Sequence, residues 1–208
     1  MNQPLVRLLL FRHAEVEARY QKVFGGTIDM EISPQGHQQS VVLAEFLKTR
    51  SFDALYASPM KRVQQTLAPS LTNGHPTPTV LSGLREVDFG AWTGHGWDAV
   101  LEKFGARAHT WLDQLERGTI PQAEQVAAYR ARVQAALNQI LADANGKCIG
   151  VFCHGGVIRM MLSILIDLPL SKTSVFEIDY ASVTEIHIQP HRVEIRLLNF
   201  APWRDWKS

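Results

Sequence analysis

The sequence predicts an α/β protein, a three-layer sandwich with a mostly parallel central sheet and helices on both faces. Apolar runs of strand length at residues 5–12, 52–57 and 148–153 alternate with stretches of helical spacing. These runs are nearly continuous in apolar residues, as strands buried on both faces are. The chain has 208 residues, 46% hydrophobic and 20% charged, enough for one sizeable core.

Taken in order, residues 5–12 form the first strand, and the polar stretch 14–33 around Gly25-Gly26 is a long loop. Ser33-Pro34 opens a helix, because Ser caps well and Pro suits the first helical position. That helix runs to about residue 49, with Val41, Leu43, Ala44, Phe46 and Leu47 as its apolar stripe. A second strand at 52–57 leads to Ser58-Pro59, a repeat of the same helix start, with Arg62 in the first turns and a stop at Asn73-Gly74. A brief strand follows at 79–81, then a loop rich in Gly and acid at 84–96. Residues 97–117 have helical spacing (Val100, Leu101, Phe104, Trp111, Leu112, Leu115). On this reading Trp97 and Trp111 belong to the core, and Trp92 and His95 line a pocket mouth. A longer helix at 121–144 ends at Asn145-Gly146. The strand 148–153 runs into His154-Gly155-Gly156 and a further helix to 165, and strands near 183–188 and 193–198 form a terminal hairpin.

The composition also excludes some classes of partner. A formal net charge of +1 provides no global field for nucleic acid or membrane, so any positive potential is local. Cys148 and Cys153, five apart on one strand, point to opposite faces and do not bridge, which fits a reduced, cytoplasmic protein. The N-terminal apolar run is too short for a signal peptide, and no stretch approaches a membrane span.

The chemistry lies at two strand ends. Leu10-Phe11-Arg12-His13 and Val151-Phe152-Cys153-His154 each run from apolar strand into histidine, and in a parallel sheet both emerge on one edge. Ligands of open α/β sheets bind there. Gly155-Gly156 opens a helix at the same edge and offers free N–H groups to an anion. Arg62, one turn into its helix, can reach back to it. Two arginines, two histidines and helix N-termini make a site for a phosphoryl group. The proton donor for a leaving oxygen is Glu86 or Asp88, both in the 84–96 loop.

Four ordered motifs across the chain resemble the histidine phosphatase superfamily, the phosphoglycerate-mutase-like fold. They are Arg12-His13-Ala14; Ser58-Pro59-Met60-Lys61-Arg62-Val63-Gln64-Gln65-Thr66; Leu84-Arg85-Glu86-Val87-Asp88-Phe89-Gly90-Ala91-Trp92-Thr93-Gly94; and His154-Gly155-Gly156. The resemblance implies a metal-independent phosphatase without cofactor. In it His13 becomes phosphohistidine, Arg12, Arg62 and His154 bind the phosphoryl oxygens, and Glu86 protonates the leaving group. Arg19, Gly26 and Gly155 become candidate substrate contacts. The chain is then one domain, 1–208, with a compact lid-like insert at about 90–125 suited to a small phosphorylated metabolite. Relatives of this size act on α-ribazole phosphate, sugar phosphates or phosphoglycerates. Departures concentrate after the nucleophile: Ala14 stands where Gly is usual, a cost of roughly 1 kcal/mol if φ must be positive. Val16 and Arg19 replace a hydroxyl residue and an Asn, which bears on substrate choice.

Other readings compete. Cys153-His154-Gly155-Gly156-Val157-Ile158-Arg159 fits the phosphate loop of cysteine phosphatases, with Cys153 as nucleophile and Arg159 as clamp. A phosphoglycerate-type mutase, a non-catalytic phospho-ligand module and a zinc site on His13, His154 and Glu86 are the others. The aromatic tail with Trp203 and Trp206 either covers a sheet edge or meets a second subunit in a homodimer.

Overall fold

A computed structural model describes residues 5–207. Its strands are β1 (Val6–Arg12), β2 (Ala54–Ala57), β3 (Thr79–Val80), β4 (Cys148–Cys153), β5 (Val183–Gln189) and β6 (Arg192–Phe200). Its helices are α1 (Pro34–Leu47), α2 (Lys61–Leu67), α3 (Trp97–Phe104), α4 (Trp111–Glu116), α5 (Val126–Leu141), α6 (Gly155–Leu165) and α7 (Pro202–Asp205). One six-stranded sheet has the order β3-β2-β4-β1-β5-β6. The first four strands are parallel, and β5 and β6 add an antiparallel hairpin. The expected α/β architecture is therefore present.

Both faces of the sheet are covered. Leu8, Leu10, Ile149 and Val151 pack with α5 and α6 on one side; Leu9, Phe11, Phe52 and Phe152 pack with α1 and α2 on the other. β4 is buried throughout and β1 from Leu8 to Phe11, which explains why they read as continuous apolar runs. Cys148 and Cys153 lie in different clusters and are free thiols. Among the described residues no helix is long and apolar enough to cross a membrane.

Ser33 caps α1 as its sequence suggests, its Oγ accepting from Gly36 N at 2.9 Å. Ser58 does not repeat the role. α2 starts only at Lys61, whose N–H donates to Asp29 Oδ1, while the Ser58 hydroxyl is drawn to His154. Val41 is 59% exposed, because two residues from Leu43 it falls on the opposite side of the helix. The single helix expected over 97–117 is two, broken at Gly105 with φ 66°. That break places Trp97 on α3 and Trp111 on α4.

Gly36 joins the first turn of α1 to the loop after β1, where a Cβ would overlap the Glu15 carbonyl. Neither element can yield easily, since that same carbonyl accepts from Ser33 N. Gly36→Ala is expected to lower the free energy of unfolding by about 2 kcal/mol, read by urea denaturation; an unchanged midpoint would mean the loop is free to move.

Candidate active site

The register of β1 against β4 builds the site. Arg12 lies opposite Cys153, and the next residue on each strand is a histidine. His13 N donates to Cys153 O at 3.0 Å, so the two rings meet edge to face with centroids 5.3 Å apart. β2 flanks β4 and delivers Ser58 to His154 Nε2 at 2.9 Å, and α2 brings Arg62 to the same point.

His13 is oriented by its own main chain. Its Nδ1 is 2.9 Å from Ala14 O, and a carbonyl can only accept, so Nδ1 carries the proton and Nε2 the lone pair. Ala14 is fixed in turn by donating to Thr66 Oγ1. It is not among the residues with positive φ, so the strain considered for a non-Gly residue here does not arise.

Around His13 a cavity of about 590 Å³ opens, walled by Arg12, Arg62, Arg159, Glu86 and the Gly155-Gly156 helix start. The three arginines are anchored on carbonyl oxygens. Arg12 donates to Ile178 O and stacks on Tyr180; Arg62 donates to Ile28 O and Gly26 O; Arg159 donates to Gly155 O and Phe176 O. Burial pushes both Arg62 and Arg159 down to about 10. Burial, then Arg62 and Arg12, holds His13 well below its usual 6.5, and burial and Arg62 do the same to His154. Both histidines are neutral at pH 7.

Glu86 reaches the cavity, with Oε1 accepting from Val87 N and Oε2 from Gly156 N. Asp88 is occupied elsewhere, accepting from Gly90 N and Thr93 Oγ1. Three nitrogens here are buried without a partner: Arg12 Nε, Arg159 Nε and His154 Nδ1. Each such group costs about 1–3 kcal/mol, a cost that an oxyanion would relieve for the two arginines, which line the cavity.

Several sequence expectations change. Arg19 is exposed, pairs with Glu17 and is not on the cavity wall. Gly26 acts through its carbonyl on Arg62, while its neighbour Gly25 lines the cavity. His154 is fully buried behind His13 and does not line the cavity. Trp92 is 1% exposed and packs on Phe24, whereas Trp97, 48% exposed, and Trp111 line the cavity. His95 is absent from the wall and lies near Phe104. Arg159 is on the wall, although its sequence context suggested only a role beside Cys153. That thiol is fully buried outside the cavity and burial pushes it up strongly, so it is a poor nucleophile. Among the described residues no group of three or more His, Cys, Asp and Glu is placed to hold a metal ion.

The family model of the histidine phosphatase superfamily (branch 1) matches residues 8–201. The chain belongs to this superfamily. It is 28% identical over 195 residues to phosphoserine phosphatase 1 of Hydrogenobacter thermophilus, covering 94% of this chain and 92% of the relative. It is 23% identical over 194 residues to the adenosylcobalamin/alpha-ribazole phosphatase of Escherichia coli, covering 93% and 96%. The solved mycobacterial glucosyl-3-phosphoglycerate phosphatase shares the fold, with TM-score 0.80 and 21% identity over 94% of this chain and 99% of that one. Both of these sequence relatives, matched over more than nine-tenths of the chain, are phosphatases, and the chain is a phosphatase.

The buried histidines couple the fold to pH. The unfolded chain takes up protons near pH 6.5 that folded His13 and His154 refuse. Stability is therefore full above 6.5 and falls as pH drops below it. Urea unfolding from pH 7 to pH 5 is expected to show this fall, with a shallower slope in His13→Asn; an identical slope would mean His13 protonates freely in the fold.

Proposed function

We propose that the protein is a metal-independent phosphomonoesterase that acts on a small phosphorylated metabolite through a phosphohistidine on His13. The observation that carries this reading is the bond from His13 Nδ1 to Ala14 O, which leaves the Nε2 lone pair as nucleophile beside Arg12 and Arg62. In the first step Nε2 bonds to phosphorus, the ester P–O bond breaks, and Glu86 in its acid form passes its proton to the departing oxygen. In the second step water attacks phosphorus, the Glu86 carboxylate takes its proton, and the N–P bond breaks. Inorganic phosphate leaves, and His13 is again neutral. Arg12 and Arg62 hold the phosphoryl oxygens, and the carbonyl anchoring of the arginines keeps their charge available to the equatorial oxygens.

The insert at about 90–125 is read as a lid-like part of one domain, since its Trp97 and Trp111 line the cavity. The cavity suits a metabolite better than a folded phosphoprotein. The named activities of the relatives, on phosphoserine and alpha-ribazole phosphate, support a small phosphomonoester.

Release of free phosphate from a panel of phosphoserine, α-ribazole phosphate, sugar phosphates and phosphoglycerates tests the reading. At least one is expected to turn over, and His13→Ala is expected to lose at least about 10³-fold. Activity that survives His13→Ala and is lost in Cys153→Ser would establish the cysteine mechanism. Isomerisation of 3-phosphoglycerate without free phosphate would establish a mutase, and phosphate binding without any turnover a binding module.

A further inference from the structure

Arg132, on α5, takes no part in the cavity wall, yet three of its donor contacts converge on one turn. Its Nη1 donates to Gly83 O at 2.9 Å and Arg85 O at 2.7 Å, and its Nη2 to Glu86 O at 3.2 Å. The remaining N–H groups go to Glu124, Nε to Oε1 at 2.6 Å and Nη2 to Oε2 at 2.8 Å. These five contacts match the five N–H donors of a guanidinium. Glu124 closes the clamp from the other side, its own N–H donating to Asp88 O at 2.9 Å. The main chain of residues 83–88 is thus held on both sides of Glu86.

We infer that Arg132, oriented by Glu124, is the positioning residue of the proton donor Glu86. This rests on the assignment of Glu86 as acid in the proposed function. Three features favour positioning over general stabilisation. The three carbonyls that Arg132 holds belong to the turn from which Glu86 projects into the cavity. The clamp is bidentate and its partners are largely buried, with side chains 24% and 19% exposed, so solvent does not loosen it. The carboxyl is in close quarters on its other side: a Cβ on Gly156 would run into Glu86 Oε1, and Tyr129 Oη lies 3.1 Å from the same spot. A small rise or tilt of the turn therefore moves the proton donor against α6. The fork geometry also means Lys cannot substitute for Arg132, since one ammonium cannot reach three carbonyls and a carboxylate at once.

A displaced acid has a signature that a loosened fold lacks. Ester oxygens that leave as stable anions need no proton, whereas alkoxides do. The test compares kcat/KM for 4-nitrophenyl phosphate, phenyl phosphate and an alkyl phosphate in wild type, Arg132→Met, Arg132→Lys, Glu124→Gln and Glu86→Gln. Arg132→Met is expected to lose about 30-fold or more on the alkyl ester and less than about 3-fold on the nitrophenyl ester. Glu86→Gln should give the same pattern, Arg132→Met combined with Glu86→Gln should lose nothing further on the alkyl ester, and Arg132→Lys should not rescue. Inhibition by inorganic phosphate should stay within about 2-fold, because the arginine cradle is untouched. A loss equal across the three esters, no loss, or a weakened phosphate affinity would overturn the inference. If Arg132→Met does not fold, Glu124→Gln decides by the same pattern. A Glu86→Gln variant that shows no preference among the three esters would instead remove the reading beneath it, an outcome distinct from any of these.

Discussion

The parallel pairing of β1 with β4 is the constraint on which the site depends. Because Arg12 faces Cys153 across the ladder, the two strands release their histidines at the same height and the rings touch. A slip of one residue would turn every side chain of β1 to the other face and carry His13 away from the cavity. Burial on both faces holds the register, with Leu8 and Leu10 in one layer and Leu9 and Phe11 in the other. The catalytic edge is thus specified by the core. The last link is local: Ala14 O takes the Nδ1 proton, and Thr66 holds Ala14.

The second constraint is electrostatic. Several surface cations pair with carboxylates: Arg19 with Glu17, Lys61 with Glu31, Arg204 with Asp179 and Asp205. The three arginines of the cavity wall do not; they are fixed by carbonyl oxygens and, for Arg12, by the Tyr180 ring. A carboxylate partner would neutralise the charge that a phosphoryl group needs, whereas a carbonyl holds the fork in place and leaves the charge intact. The cost of that choice appears in the lowered Arg62 and Arg159 and in the two histidines held neutral. The C-terminal tail contributes at one remove. Trp203 Nε1 donates to Tyr180 O, and Asn199 and Arg204 bind Asp179, so the tail steadies the segment that holds Arg12. Trp206 packs on Phe46 of α1.

The fold class and the gathering of His13, Arg12 and Arg62 were legible because they follow from strand ends and helix starts, which are local in sequence, whereas only the family resemblance separated Glu86 from Asp88. What was not legible depends on contacts between distant segments. Ser58 looks like a helix cap, and only the proximity of β2 to β4 reveals that His154 claims its hydroxyl. Trp97 and Trp111 share a helical stripe on paper; they lie on separate helices, both line the cavity, and of the two only Trp111 also packs against the core. Arg159 had a signal, one turn and a half after His154 on a helix that begins at the site, but the cysteine motif around it drew that signal to the wrong nucleophile. Arg19, promising as a cation after the nucleophile, is held outward by Glu17 two residues before it.

The central claim is that His13 Nε2 carries the phosphoryl group. Rapid quench of the enzyme with a turned-over ester, followed by mass spectrometry under alkaline conditions, tests it directly. The account predicts one added phosphoryl group on His13, stable in base and lost in acid. A phosphoryl group on Cys153, or steady turnover with His13 never modified, would contradict it.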